Sequence, residues 1–168
     1  MYGIQVVALA QNNTDKLLSA VEYVRASFYD ADGKKLGDAF GRLQNVTPKS
    51  IRIFVLAGTD EVAKYSKVTF EIGSLTPGNP QISEVSIGTP TAYNDVNGTH
   101  VKVSVNNKDK ASHNVSLITG FFDSQGSLKG VALGGKLDMP PGTADLVLDS
   151  DDVISGYTRV EVQLDSLL

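Results

Sequence analysis

The sequence predicts an all-β protein built of two tandem antiparallel immunoglobulin-like β-sandwich domains that are related by internal duplication. Short runs of alternating apolar and polar residues recur along the chain, which is the pattern of strands with one buried face. Turn residues separate these runs at regular spacing, and very few residues have helix-like patterning. The two halves of the chain also align with each other, which indicates a repeated fold.

The internal alignment is clearest at the end of each half. Residues Tyr65–Leu75 align with Tyr157–Leu167 without a gap, and four of the eleven positions are identical. Upstream segments align in the same order, namely Phe28–Gly33 with Phe121–Gly126 and Asn12–Lys16 with Asn106–Lys110. A short stretch rich in Pro and Gly joins the halves and favours turns. We therefore expect a first domain at residues 1–75, a linker at residues 76–80 and a second domain at residues 81–168.

The alternating runs identify individual strands. Val101–Val105 and Ile51–Val55 each place every second residue on one face, so each run is expected to bury one set. The run Val21–Tyr29 is apolar on both faces in places, which predicts a central strand. Only Thr59–Lys64 and Ser150–Ser155 look helical, because each begins with a capping hydroxyl followed by acidic residues.

The second half contains an extra strand, Gln81–Tyr93, before its first matched strand, and the first half has no room for an equivalent. We therefore expect the first domain to have an open edge, formed by Ile4, Gln5, Val6, Val7, Ala8 and Leu9. One interpretation is that the chain is cut short there, or that a loop covers the edge. The other is that a second polypeptide completes the sheet by strand addition.

Several motifs of the first half occur together in a known family. Asn12–Asp15 is an N-x-x-D turn, Val21–Gly33 is a long strand that ends in Tyr-Asp-x-x-Gly, and Pro48 begins a turn before the strand Ile51–Leu56. In these features the chain resembles the FxLYD domain family, small immunoglobulin-like sandwiches of prokaryotic extracytoplasmic proteins. The resemblance implies a location at the cell surface or in a secreted protein, and it implies no catalytic residues.

The composition argues against several functions. The chain has no Cys, which excludes disulfides and thiolate metal sites, and its net charge of −4 comes with no basic stripe for nucleic acid. No apolar run reaches the about 20 residues of a membrane-spanning helix. A Gly-x-Ser-x-Gly elbow is missing, and Gly130–Gly135 lacks the Lys-Ser/Thr of a phosphate loop. We therefore expect neither an enzyme nor a cofactor.

Calcium is the one metal that the acidic residues suggest, and only weakly. Asp30 and Asp32 have the spacing of the first two carboxylates in a calcium-binding loop, but a hairpin turn explains them better. Asp149, Asp151 and Asp152 form an acidic cluster, for which a solvated strand end is the preferred interpretation.

The histidines and the asparagines complete the set of candidate positions. Neither His100 nor His113 has a Cys or a His four residues away as a partner ligand, and both are expected to be exposed polar strand residues. Asn-x-Ser/Thr acceptors, which are plausible glycosylation sites in a surface protein, occur at Asn12, Asn45, Asn97 and Asn114.

The function expected from these observations is that of a non-enzymatic extracytoplasmic structural or protein-interaction module. A first alternative is a self-assembling surface or filament subunit completed by strand donation at the open edge. A second is a ligand- or calcium-binding accessory domain. No secretory signal is visible, so the protein is either cytosolic or a mature or excised piece, and the strand count of the first domain favours the excised piece. The expected partner is another protein or a second copy of the chain.

Overall fold

The structure is a computed structural model that describes residues 5–58, 62, 64–77 and 84–167. Within these ranges the chain forms strands and no helix. It divides into two compact units, Met1–Gln81 and Ile82–Leu168, and each contains its own antiparallel sheet. Both units are β-sandwich-like, which confirms the predicted all-β class with two tandem domains. None of the described segments is a helix long and apolar enough to cross a membrane.

The first domain is formed by β1 (Gln5–Gln11), β2 (Leu18–Tyr29), β3 (Lys35–Val46), β4 (Ile51–Ala57), β5 (Lys67–Ile72) and β6 (Leu75–Pro77). Along the sheet the order is β1-β4-β3-β2-β5, and β6 also pairs with β2. The strand β2 is therefore central, as its two apolar faces predict. Thr76 and Pro77 pair with β2 and belong to the sheet rather than to the predicted linker.

The second domain is formed by β7 (Val85–Ile87), β8 (Thr91–Asp95), β9 (Gly98–Asn107), β10 (His113–Phe122), β11 (Leu128–Met139), β12 (Gly142–Ser150) and β13 (Arg159–Leu167). The order along its sheet is β13-β10-β11-β12-β9-β7, and β8 also pairs with β9. The single extra strand expected at Gln81–Tyr93 is thus two short strands. Gln81, Ile82 and Ser83 lie outside the described residues.

The two sheets repeat the same pairing, with β1 to β4 in the first domain corresponding to β9 to β12 in the second. Val6 lies opposite Leu56 in β4, and its counterpart Val101 lies opposite Leu148 in β12. Both domains also contain an edge-to-face ring pair between β2 or β10 and the tyrosine two residues before the strand that pairs with it, β5 or β13: Phe28 with Tyr65 and Phe121 with Tyr157. The duplication inferred from the sequence is therefore present in three dimensions.

In each sheet the ladder between the third and fourth matched strands is reduced to one paired position, Phe40 with Ala57 in the first domain and Leu133 with Asp149 in the second. Glycine stands next to this paired position in both copies, at Gly41 and Gly134. A Cβ on either glycine would lie 2.8 Å from a carbonyl oxygen of the adjacent strand. The absence of a side chain therefore allows the close approach of the two backbones.

A separate hydrophobic core lies inside each domain. In the second domain it includes Val101, Leu117, Phe121 and Leu148, all fully buried. In the first domain Val24, Phe28 and Leu56 are buried at the places of Leu117, Phe121 and Leu148.

The predicted helical turn at Ser150–Ser155 is wrong. The strand β12 ends at Ser150, and the following residues form bends and extended backbone. The amide of Ile154 donates to the buried hydroxyl of Thr99 at 2.7 Å, and the Ile154 side chain enters the core. The segment is thereby held against β9 instead of closing its own helical turn. Most of the equivalent prediction at Thr59–Lys64 lies outside the described residues.

Candidate interaction edge

The strand β1 ends the sheet of the first domain. Among the described residues it pairs with β4 alone. Its counterpart β9 pairs with β12 on one side and with β7 and β8 on the other. Of the predicted edge residues, Val6, Val7, Ala8 and Leu9 lie in β1, as does the backbone of Gln5, whereas Ile4 lies outside the described residues.

Backbone direction shows which residues of β1 point to the open side. The amide of Asn12 donates to Ser50 O at 2.9 Å, toward β4. Backbone groups alternate in direction along a strand, so those of Val7 and Leu9 point away from β4. The backbone groups of β9 alternate in the same way. Ser104, the counterpart of Leu9, points away from β12 and accepts a 2.8 Å hydrogen bond from the amide of Gly88 beside β7.

The inner face of β1 is less covered than that of β9. Val101 and Val103 are at most 3% exposed. Val6 and Ala8, their counterparts in the first domain, are only partly buried although they pack on the core. The difference coincides with the presence of β7 and β8 beside β9.

The opposite edge of the first sheet is also exposed. Val162 and Leu164 of β13 pack against the second core. The residues that correspond to them in β5, Phe70 and Ile72, are 51% and 62% exposed. In the second domain Val85 of β7 enters the same core on which β13 packs. Both end strands of the first sheet, β1 and β5, therefore carry side chains that are less covered than their counterparts in the second domain.

The candidate calcium residues in the first domain form a turn. Asp30 Oδ1 accepts the amides of Asp32 at 3.0 Å and Lys34 at 2.8 Å. Gly33 has a φ of 82°, a conformation that glycine adopts without strain. The second copy repeats this turn at Asp123 with the amides of Gln125 and Ser127. The arrangement agrees with the hairpin interpretation.

The second group of acidic residues does not converge. Asp149 Oδ1 is engaged by His100, while Asp151 and Asp152 lie exposed on the bends that follow β12. In the part of the chain that the structure describes, no group of three or more His, Asp or Glu residues is arranged to hold a metal ion.

His100 has a setting that differs from the exposed position expected from the sequence. Its side chain is 13% exposed, and its Nδ1 and Nε2 lie 2.6 Å from Asp149 and 2.9 Å from Asp95. The hydrogen bond with Asp149, then that with Asp95, raises the pKa of His100. In turn, His100 lowers the pKa of Asp95. The ring also stacks on Tyr93, with centroids 5.0 Å apart.

This His100 cluster links three strands, because Asp95 ends β8 and Asp149 lies opposite His100 in β12. The half-buried imidazole lies between two exposed carboxylates, and the hydrogen bond with Asp95 connects β8 to β9. The sequence alone does not reveal this pairing, because Asp149 and His100 are 49 residues apart and become neighbours only through the register of β9 and β12. His113 is also paired, with Asp109 at 2.7 Å.

The candidate glycosylation sites differ in accessibility. Asn12 is buried, and its Nδ2 donates to Lys16, Val46 and Thr47 carbonyls, so the atom that would carry a glycan is already enclosed. Asn97 is exposed in a turn, and Asn114 is partly buried. The Asn45 side chain lies outside the described residues. The geometry thus argues against Asn12 as an acceptor.

Comparison of the chain with protein-family models, with curated proteins and with solved structures yields no match.

Proposed function

We propose that the chain is a non-enzymatic, extracytoplasmic structural or protein-interaction module of the FxLYD type, whose first domain accepts an extended strand of another polypeptide along β1. One observation carries this proposal. The strand β9 is covered by β7 and β8, whereas its counterpart β1 pairs only with β4 among the described residues.

The physical reason is that an edge strand presents a row of N–H and C=O groups to any chain that can pair with it. Strand addition satisfies those groups by main-chain hydrogen bonds, while alternate side chains enter the adjoining pocket. Here the inner face of β1 carries the partly buried Val6 and Ala8, which pack on the core. A strand added along β1 would cover this apolar surface.

Self-assembly is the second candidate function. It is favoured by the presence, in the same chain, of a segment that already pairs with the equivalent strand. A contact of this kind between copies joins two different surfaces, so it propagates into a filament when it does not close into a ring. Light scattering after size exclusion, with electron microscopy of the excluded fraction, distinguishes a discrete monomer from such polymers.

A photoactivatable amino acid at Leu9 tests the proposed function directly. Irradiation with extracts of the cell surface should yield a discrete cross-link to an extended segment of a partner or of a second copy. The same label at Val96, which is 98% exposed in a turn of the second domain, is the matched control. Val7→Pro removes an amide that points to the open side and should abolish the cross-link. A Leu9 label that gives the same products as the Val96 label would overturn the proposal.

A further inference from the structure

We infer that the strand accepted by the first domain runs antiparallel to β1 and is apolar on both of its faces, unlike the strand with which the second domain completes itself. This inference rests on the proposed function and names the chemistry of the partner. It follows from comparing the two domains position by position.

The second domain supplies the template for direction and for the inner face. Both β7 and β8 run antiparallel to β9. Ile87 lies opposite the buried Val105, and Ala92 lies opposite the buried Val101, so both point to the core. A strand in the corresponding place beside β1 would have its inner residues facing Ala10 and Val6.

The outer face differs between the domains. In the second domain Lys102 and Ser104 point outward from β9, and Thr91 lies opposite Lys102. The corresponding outward residues of β1 are Val7 and Leu9, and Leu9 is 43% exposed. An open edge usually carries charged residues that discourage pairing, and lysine is the commonest of them. The first domain carries apolar residues there instead.

Cross-strand neighbours on one face stabilise a sheet when their chemistry matches. A polar residue opposite Val7 would lose water without gaining a hydrogen bond, whereas a β-branched or aromatic residue would pack against it. The inner face of the accepted strand must be apolar because it covers Val6 and Ala8. The outer face is apolar because it adjoins Val7 and Leu9.

Three synthetic peptides and the full chain test this inference. The first peptide has the natural sequence of residues 84–95. The second carries Thr91→Val, which places an apolar residue at the position opposite the counterpart of Val7, and the third adds Ile87→Ser and Ala92→Ser to that change. Fluorescence anisotropy of each labelled peptide measures its affinity. We expect the second peptide to bind about fivefold more tightly than the first, from one improved cross-strand pair. The third should not bind measurably.

The variant Val7→Lys/Leu9→Ser gives β1 the outward residues of β9 and should remove the preference for the second peptide. Val96→Lys adds the same charge at an exposed turn and should leave all affinities unchanged. Equal affinities of the first two peptides would overturn the inference and leave strand addition standing. Binding of the third peptide as tight as that of the second would also overturn it. If no peptide bound, or if Val7→Pro changed nothing, strand addition along β1 would itself be rejected.

Discussion

Asn12 and Asn107 hold the same place in the two domains, and each fastens the loop after the first matched strand. Each Nδ2 donates at 2.9 Å to a carbonyl four residues ahead, that of Lys16 or Ala111. Each also donates at 3.0 Å across the domain, to Val46 O in one case and Met139 O in the other. A buried asparagine side chain thus stabilises the equivalent loop in each of the two domains.

Replacing Asn107 by alanine should destabilise the second domain by about 2 kcal/mol, because the buried carbonyl of Met139 loses its donor. Urea unfolding followed by circular dichroism measures the change. Asn13→Ala, which truncates an exposed asparagine, is the control and should stay close to the wild type. An Asn107→Ala protein as stable as the control would show that water replaces the lost donor.

Gly134→Ala should cost about 1–3 kcal/mol, since the new methyl group would meet Val147 O at 2.8 Å and Leu148 Cα at 3.0 Å. Both are backbone atoms, so the adjacent strands have to shift to admit it. The measurement is thermal unfolding, with Lys136→Ala on the exposed part of the same strand as control. Retention of full stability would mean that the sheet tolerates a wider spacing of β11 and β12 at this position.

The His100 cluster predicts a pH dependence of stability. The pKa of His100 is raised above its ordinary 6.5 by hydrogen bonds with Asp149 and Asp95. Its contribution is therefore complete below 6.5 and is lost as pH rises through the raised pKa of the folded state. The lowered pKa of Asp95 acts in the acid range, where stability is lost as pH falls.

We accordingly expect the free energy of unfolding to fall as the pH rises from below 6.5 through the raised pKa of His100. The His100→Gln protein should be less stable at low pH and should lack this part of the slope. Denaturant titrations at several pH values provide the test. A slope that is identical in both proteins would mean that His100 gains nothing from its two carboxylates.

Amide hydrogen exchange should distinguish the two copies of the edge. The amide of Val7 points to the open side, whereas that of Lys102 faces β8 across a paired position. We expect Val7 to exchange at least about tenfold faster than Lys102. Ala8 and Val103, whose amides face β4 and β12, are the matched internal pair, and both should be protected. Slow exchange at Val7 would contradict an open edge.

The sequence was sufficient for the fold class because alternation and duplication are local or repeated signals. The core face of a strand and the exact alignment of the two halves could not be predicted where more than one choice fitted the same residue pattern. In β4 both Ile53 and Phe54 are buried, so alternation alone could not choose the core face. The predicted alignment of Asn12 with Asn106 was one residue off, because two adjacent asparagines differ only in which one is buried.

The candidate site was predictable in part. Counting strands pointed to β1, which pairs with β4 alone among the described residues. The His100 cluster was missed because its members come from β8, β9 and β12, and only the register unites them. The helical turn predicted at Ser150–Ser155 was wrong although the capping signals were present. The amide of Ile154 donates to Thr99, 55 residues earlier in the chain, and this long-range contact outweighs the local signals.

The hairpin of β8 and β9 also affects the order of folding. Asp95 lies opposite Gly98, so the turn is tight, and the Asp95 carboxylate accepts the Asn97 amide at 2.7 Å. Such a hairpin closes a very short loop and forms on the microsecond scale, before distant strands meet. The first domain has no counterpart of β8 among its described strands. We therefore expect the second domain to refold first and the first domain to wait for contacts between residues far apart in the chain.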